Sequence, residues 1–326
     1  VKPNFSDIIA AMSLSFNEAL KLIKLPDEKS LLLLAKANEL RQKYKGNKIS
    51  LCAIVNAKSG KCSENCSFCA QSAHHAAKAS CPTYQLISAD ETVRTAKKAR
   101  QNQANCFSIV TSGKGTKSEA ELEEICKALK EIKKTGMRRC VSLGILSREQ
   151  LKRLKKAGLT RLHHNLESAE SFFNKICTTH TFSERLQTIK DAKAVGLEVC
   201  AGGIFGLGET IRQRIELAFA LKELEVESVP INILHPIAGT PAANNHKPMT
   251  PWEVLRLIAV FRLIMPKADI GLFGGREYAL GSLQPLLFLA GANVILTGDY
   301  LVTKGQENNK DIEMIKALGL KPELEH

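Results

Sequence analysis

Cys106-Phe-Ser-Ile-Val-Thr111 and Arg139-Cys-Val-Ser-Leu143 are short apolar runs, each followed by a longer amphipathic stretch, residues 118–134 and 147–157. The short runs read as strands and the longer stretches as helices laid over them. Ser118-Glu-Ala-Glu121 and Ser147-Arg-Glu-Gln150 are capping-box sequences that would start the two helices, and Gly136 and Gly158 stand where they would end. A strand–helix–strand–helix alternation of this kind makes a parallel sheet.

The same alternation extends in both directions. Strands are expected over residues 50–56, 106–111, 139–143, 161–166, 198–202, 228–233, 269–273 and 294–297. Helices are expected over 89–101, 118–134, 147–157, 182–195, 209–224, 251–265, 281–290 and 311–318. Eight strand–helix units are the count of a closed (β/α)8 barrel of the TIM type. Closure itself is not visible in the sequence, and a doubly wound open sheet has the same alternation. Ahead of the first strand, residues 15–24 and 27–44, with a Leu31–Leu34 run, read as an N-terminal helical extension. No repeat, linker or low-complexity segment interrupts the chain. It is expected to be one domain over residues 1–326, with helices to 48, the barrel over 49–300 and a C-terminal segment over 301–326. The ending Leu324-Glu-His326 reads as an added tail and plays no part in this assignment.

After the first strand comes Lys61-Cys-Ser-Glu-Asn-Cys-Ser-Phe-Cys-Ala-Gln-Ser72. Its three thiols, Cys62, Cys66 and Cys69, are spaced to hold three irons of a cubane cluster and leave the fourth iron open. Phe68 puts an aromatic ring beside them. The alternative is a structural zinc knuckle with His74 or His75 as fourth ligand, although zinc sites usually pair two half-sites. The loop resembles the signature of radical S-adenosylmethionine enzymes, in which the methionyl group chelates the open iron. In a (β/α)8 barrel the end of the first strand is where such a loop belongs.

Composition narrows the remaining classes. The 326 residues contain ten cysteines, too few for a disulfide scaffold, so metal-binding thiols in a reducing cytoplasm are expected. No apolar run is long enough to span a membrane. The net charge of +13 raises nucleic acid as a partner. The lysines recur on helix faces, however, and aromatics make up only 5%, so no base-stacking stripe is present and nucleic acid is excluded.

Four more stretches carry a wider resemblance. They are His163-His-Asn-Leu-Glu-Ser168, Cys177-Thr-Thr-His-Thr-Phe182 with Arg185, Cys200-Ala-Gly-Gly-Ile-Phe-Gly-Leu-Gly-Glu-Thr210, and Val229-Pro-Ile-Asn-Ile233 with Gly239-Thr-Pro241. With the cysteine loop and Gly274-Gly-Arg-Glu277, they resemble the biotin synthase family over nearly the whole chain. The resemblance implies reductive cleavage of S-adenosylmethionine at a 4Fe–4S cluster on Cys62, Cys66 and Cys69. Hydrogen abstraction from dethiobiotin would follow, and sulfur would come from an auxiliary iron–sulfur cluster. It implies that Phe68, Asn165, Glu167, Arg185, Gly202 and Gly203 bind S-adenosylmethionine, and that His163, Asn165 and Asn232 bind dethiobiotin. Glu167 stands where the family usually has Asp. An electron donor such as flavodoxin or ferredoxin and a homodimer are implied too. Within the same fold, a hydrogenase maturase or methylornithine synthase is the alternative; outside it, a non-catalytic iron–sulfur protein.

The chain departs from the family at the auxiliary site, which resembles a 2Fe–2S centre held by three cysteines and an arginine. Cys140 and Cys200 match two of the cysteines, but the third falls on Ser108 and the arginine on Gly271. Cys106, two residues before Ser108, would face the same side of its strand. Cys52 on the first strand would join it. Cys52, Cys106, Cys140 and Cys200 are therefore expected to hold an auxiliary cluster of the 4Fe type in place of 2Fe–2S; otherwise Cys52 and Cys106 are small buried hydrophobes. Cys126 reads as helix packing, Cys177 as a reserve ligand, and Cys81 has no assigned place.

Overall fold

A computed structural model describes residues 14–116, 118–244 and 246–323; the Leu324–His326 tail lies outside them. The strands are β1 (Lys48–Lys58), β2 (Cys106–Thr111), β3 (Arg138–Ser142), β4 (Arg161–His163), β5 (Glu198–Cys200), β6 (Gly203–Phe205), β7 (Ser228–Ile233), β8 (Asp269–Leu272), β9 (Val294–Leu296) and β10 (Lys321–Pro322). Neighbours in space follow chain order, all parallel, with β6 continuing the line of β5 along β7. β9 then pairs back to β1 through Ser50↔Val294, Leu51↔Ile295 and Cys52↔Leu296. That pairing closes an eight-stranded barrel, where an open sheet would leave β1 and β9 as edges. The short β10 adds to β1 at Lys48 and Ile49.

Helix starts follow the caps written in the sequence. At Ser147 the capping box is reciprocal: Gln150 N donates to Ser147 Oγ at 3.2 Å, and Ser147 N donates to Gln150 Oε1 at 2.9 Å. At Ser118 only half forms, because Glu121 turns away to an ion pair with Lys58 Nζ at 2.6 Å. Gly136, Gly158 and Gly196 all take positive φ at helix ends, as expected.

Two expected elements are divided. The helix expected over residues 281–290 is a 3-10 turn, Gly281–Leu283, and a short helix, Leu286–Leu289, separated by Pro285. The fifth strand breaks between Cys200 and Gly203, where the backbone meets two neighbours too closely for a side chain. A Cβ on Gly202 would lie 1.9 Å from the Pro230 carbonyl oxygen, and one on Gly203 2.5 Å from that of Glu167. These glycines serve strand packing, and neither borders the central cavity.

The N-terminal helices Phe16–Ile23 and Asp27–Lys45 pack on the Pro251–Ile264 helix, whose residues from Val254 onward are all buried. Leu33 and Leu34 enter this contact while Leu31 and Leu32 stay exposed. No helix among the described residues is long and apolar enough to cross a membrane.

Gly202→Ala is expected to lower stability by about 3 kcal/mol through overpacking against Pro230. A urea-unfolding midpoint equal to that of the parent would contradict this.

Candidate active site

The loop after β1 lies at the C-terminal mouth of the barrel. Its thiols are partly buried, and its backbone is pinned by bonds from Cys62 N to Gln71 O at 2.9 Å and from Cys69 N to Cys66 O at 3.0 Å. Burial pushes the Cys62 thiol up and that of Cys69 up to about 11. Phe68 and Cys69 border a central cavity of about 310 Å³ that runs down the barrel axis. The zinc alternative finds no support in the histidines. His74 Nε2 is 3.1 Å from Ser63 O and His75 Nε2 is 3.1 Å from Cys66 O, so both rings are engaged with backbone.

The loop is tied to the turn before the Phe182–Ala194 helix. Glu64 Oε2 accepts from His180 Nδ1 at 2.6 Å and from Thr179 Oγ1 at 2.8 Å, with Glu64 and His180 buried. Burial works against a charged His180, but its contacts with Cys177 and Glu64 raise its pKa. Cys66, Cys177 and His180 bring their ligand atoms within 4.8 Å of one another. The contact with Cys177, then burial, raises the Cys66 thiol. Cys177 thus supports the loop from outside the cavity. Neither it nor Cys126, buried in the Glu119–Ile132 helix, belongs to the inner thiol group. Cys81 lies beside Ser59 at the end of β1, Sγ to Oγ 3.6 Å.

His163, Asn165 and Glu167 point into the cavity from the line of β4, two residues apart as strand alternation requires. Asn165 Oδ1 accepts from Gly202 N at 3.1 Å and lies 3.2 Å from His163 Nε2. Glu167 sits at φ 68°, a conformation that a bulky residue adopts only where its surroundings enforce it. Burial raises its pKa against the opposing pull of Arg185, whose Nη2 is 3.1 Å from Glu167 Oε1. Arg185 Nε also donates to Asn165 O at 2.5 Å. Asn232 lines the same cavity from β7, two strands from β4, donating to Gly203 O at 3.2 Å and accepting from Gly274 N at 2.9 Å.

Deeper in the barrel, Cys52, Cys106, Cys140 and Cys200 all border the same cavity and are all buried. Cys52 lies in register with Cys106, and Cys106 Sγ is 3.4 Å from Cys140 Sγ. Contact with Cys106 and burial push Cys52 and Cys140 well above the ordinary thiol value. Cys106, facing Cys140, Cys52 and then Arg161 and Arg138, is held well below it. Burial brings Cys200 to about 11. Ser108 Oγ borders the cavity and is buried with no hydrogen-bond partner. At Gly271 a Cβ would lie 2.6 Å from the Phe273 ring, so no arginine can extend from that position.

Two parts of the site were missed in the sequence. Tyr300, Leu301, Val302 and Thr303 fold back to border the mouth, with Tyr300 Oη donating to Glu277 Oε2 at 2.8 Å. Arg161 enters below the thiols, and its position at the start of β4 was the available signal.

The Radical SAM superfamily profile matches residues 57–221, and the Biotin and Thiamin Synthesis associated domain matches residues 230–321. The biotin synthase of Geotalea daltonii is 46% identical over 314 residues, covering 96% of this chain and 94% of that one. That of Pelotomaculum thermopropionicum is 47% identical over 314 residues, covering 96% and 97%. The chain belongs to the biotin synthase family. Its barrel also matches methylornithine synthase, with a TM-score of 0.84 at 20% identity over 98% of this chain and 96% of the other. The FeFe-hydrogenase maturase HydG from Carboxydothermus hydrogenoformans gives a TM-score of 0.82 at 19% identity, covering 98% and 79%. At those identities the likeness is one of fold, whereas the biotin synthase relatives also set the activity.

Glu64→Ala should release the biotin synthase loop from the Thr179–His180 turn. The expected result is a loss of about 3 kcal/mol, since His180 is left buried without its acceptor. In metal-free protein, faster alkylation of Cys66 should accompany it. Unchanged unfolding and alkylation rates would show that the tie does not hold the loop.

Proposed function

We propose that Cys62, Cys66 and Cys69 hold the 4Fe–4S cluster of this biotin synthase family member, and that Cys52, Cys106, Cys140 and Cys200 hold a second, four-iron cluster that supplies the sulfur. The reaction is radical S-adenosylmethionine insertion of sulfur into dethiobiotin. When bound, the clusters and S-adenosylmethionine supply the electron, the hydrogen-abstracting radical and the sulfur. The residues of the chain position the reactants and keep water away.

Arg185, aligned by Asn165 O, Glu167 and His180 Nε2, has N–H groups left on Nη1 and Nη2 for the methionyl carboxylate. Glu167 accepts from the ribose hydroxyls, and its raised pKa falls when such donors and Arg185 surround it. Asn165 and Asn232 border the cavity on either side of the Gly202–Gly203 segment, and their amides bring both donor and acceptor, the pair of functions that a cyclic urea needs. His163, whose pKa burial lowers, stays neutral beside Asn165 and can either donate or accept. Phe68 and the Tyr300–Thr303 segment cover the mouth and exclude water from the radical step. A low-potential flavodoxin or ferredoxin as electron donor, and a homodimeric assembly, complete the proposal.

The observation that carries this reading is that four buried thiols, two of them 3.4 Å apart, line one cavity together with an unpartnered Ser108 hydroxyl. Buried polar groups are rarely left unsatisfied, and thiols alone do not need one another at 3.4 Å. The donor set suits a cubane: four soft, buried ligands on one cavity, with no space for an arginine at position 271. Cys106 and Cys52 are therefore read as ligands in place of the residues lost at 108 and 271.

The test uses Cys52→Ala and Cys106→Ala. Both should still cleave S-adenosylmethionine to 5′-deoxyadenosine while biotin formation falls at least a hundredfold. Biotin formation at the parent rate by both variants would contradict the assignment.

A further inference from the structure

Arg161 is a buried arginine at the start of β4, with 5% of its side chain exposed. Along the sheet it lies in register between Cys140 on β3 and Glu198 on β5, so its side chain faces the barrel interior as that of Cys140 does. It borders two spaces at once: the thiol cavity above, and a cleft of about 720 Å³ at the floor below. Its Nη2 is 2.9 Å from Glu198 Oε2 and 3.4 Å from Asp269 Oδ2. The guanidinium thus stands between two carboxylates and the four thiols.

Arg138 shares the same carboxylates at 3.7 and 3.8 Å and is more exposed. Of Arg138, Arg161, Glu198 and Asp269, Arg161 is the one that borders the cavity. On the far side of the barrel, position 271 is closed to any side chain by the Val294 carbonyl oxygen and the Phe273 ring, 2.4 and 2.6 Å from a Cβ placed there.

We infer that Arg161 is the positioning residue of the second cluster: its buried guanidinium supplies the counter-charge for the four thiolates and shields them from Asp269 and Glu198. This rests on the four-cysteine reading given above. Each thiolate adds a negative charge that a buried site solvates poorly, and Glu198 and Asp269 lie beyond Arg161 at the floor. The Arg161 guanidinium, on the cavity side of these carboxylates, puts a positive charge next to the thiols. Net charge and neighbouring charges set cluster potentials, so the effect is readable without turnover. A purely structural role, in which Arg161 only closes the barrel floor, requires the same ion pairs but no field at the thiols.

The experiment uses full-length protein, anaerobically reconstituted, with iron and sulfide counted and the second cluster identified by Mössbauer spectroscopy. Its midpoint potential is then followed by EPR in the parent, Arg161→Gln, Arg161→Lys and Asp269→Asn proteins. The expected result is a downward shift in Arg161→Gln, an upward shift in Asp269→Asn, and a value near the parent in Arg161→Lys. The first cluster should not shift in any of them. Shifts of the same sign in Arg161→Gln and Asp269→Asn, or none, would overturn the inference while leaving the four-cysteine site standing. If Arg161→Gln cannot hold the second cluster, retention by Arg161→Lys supports the charge role and loss in both overturns it. A parent protein with no second four-iron cluster removes the underlying reading and this inference with it, an outcome the iron count alone reveals.

Discussion

The pairing of β9 with β1 is the constraint on which the rest of this molecule depends. Ser50↔Val294 and Cys52↔Leu296 join the first and last strands, and closure forces every second residue of eight strands into a common interior. The β1–β2 register sets Cys52 beside Cys106, Cys106 Sγ reaches Cys140 Sγ at 3.4 Å, and closure brings Cys200 onto the same cavity. In an open sheet the same cysteines would lie along one face, with Cys52 and Cys200 strands apart. The barrel turns a sequence-distant set into a pocket.

Three levels then stack along the axis. Charge occupies the floor, where Arg161, Arg138, Glu198 and Asp269 neutralise one another and Lys45 closes the set, Nζ to Asp269 Oδ1 2.8 Å. Burial opposes the Asp269 charge, but Lys45 and Arg161 hold its pKa down to about 2. Thiols fill the middle. Amides, Glu167 and Arg185 line the mouth beneath the Cys62–Cys69 loop. A substrate held between the loop and the inner thiols would have a radical source on one side and sulfur on the other. On the proposed assignment, the order of levels is also the order of the chemistry.

Most of the architecture was legible in the sequence because the strand–helix alternation and caps are local signals. β2 and β7 match their expected bounds of 106–111 and 228–233, and the Ala89–Gln101 helix matches 89–101. Closure was not legible, since it depends on a pairing between residues some 240 positions apart. Nor was the break at Gly202, caused by the approach of Pro230 from another strand. The loop cysteines and the His163–Glu167 line could be placed because spacing and strand period fix them. Arg161 and the Tyr300–Thr303 cover escaped notice for a different reason: a lone arginine and a plain loop become site residues only through what folds against them. Gly202 and Gly203 show the converse, as conspicuous glycines that serve the packing of the barrel wall.

The central claim is that Cys52, Cys106, Cys140 and Cys200 form a cluster site of their own. Mössbauer spectroscopy with iron and sulfide counts on anaerobically purified protein tests it most directly. The account predicts two four-iron signals, the second lost in a Cys52→Ala/Cys106→Ala double variant while the first is kept. One four-iron and one two-iron signal, or a single cluster untouched by the double substitution, would contradict it.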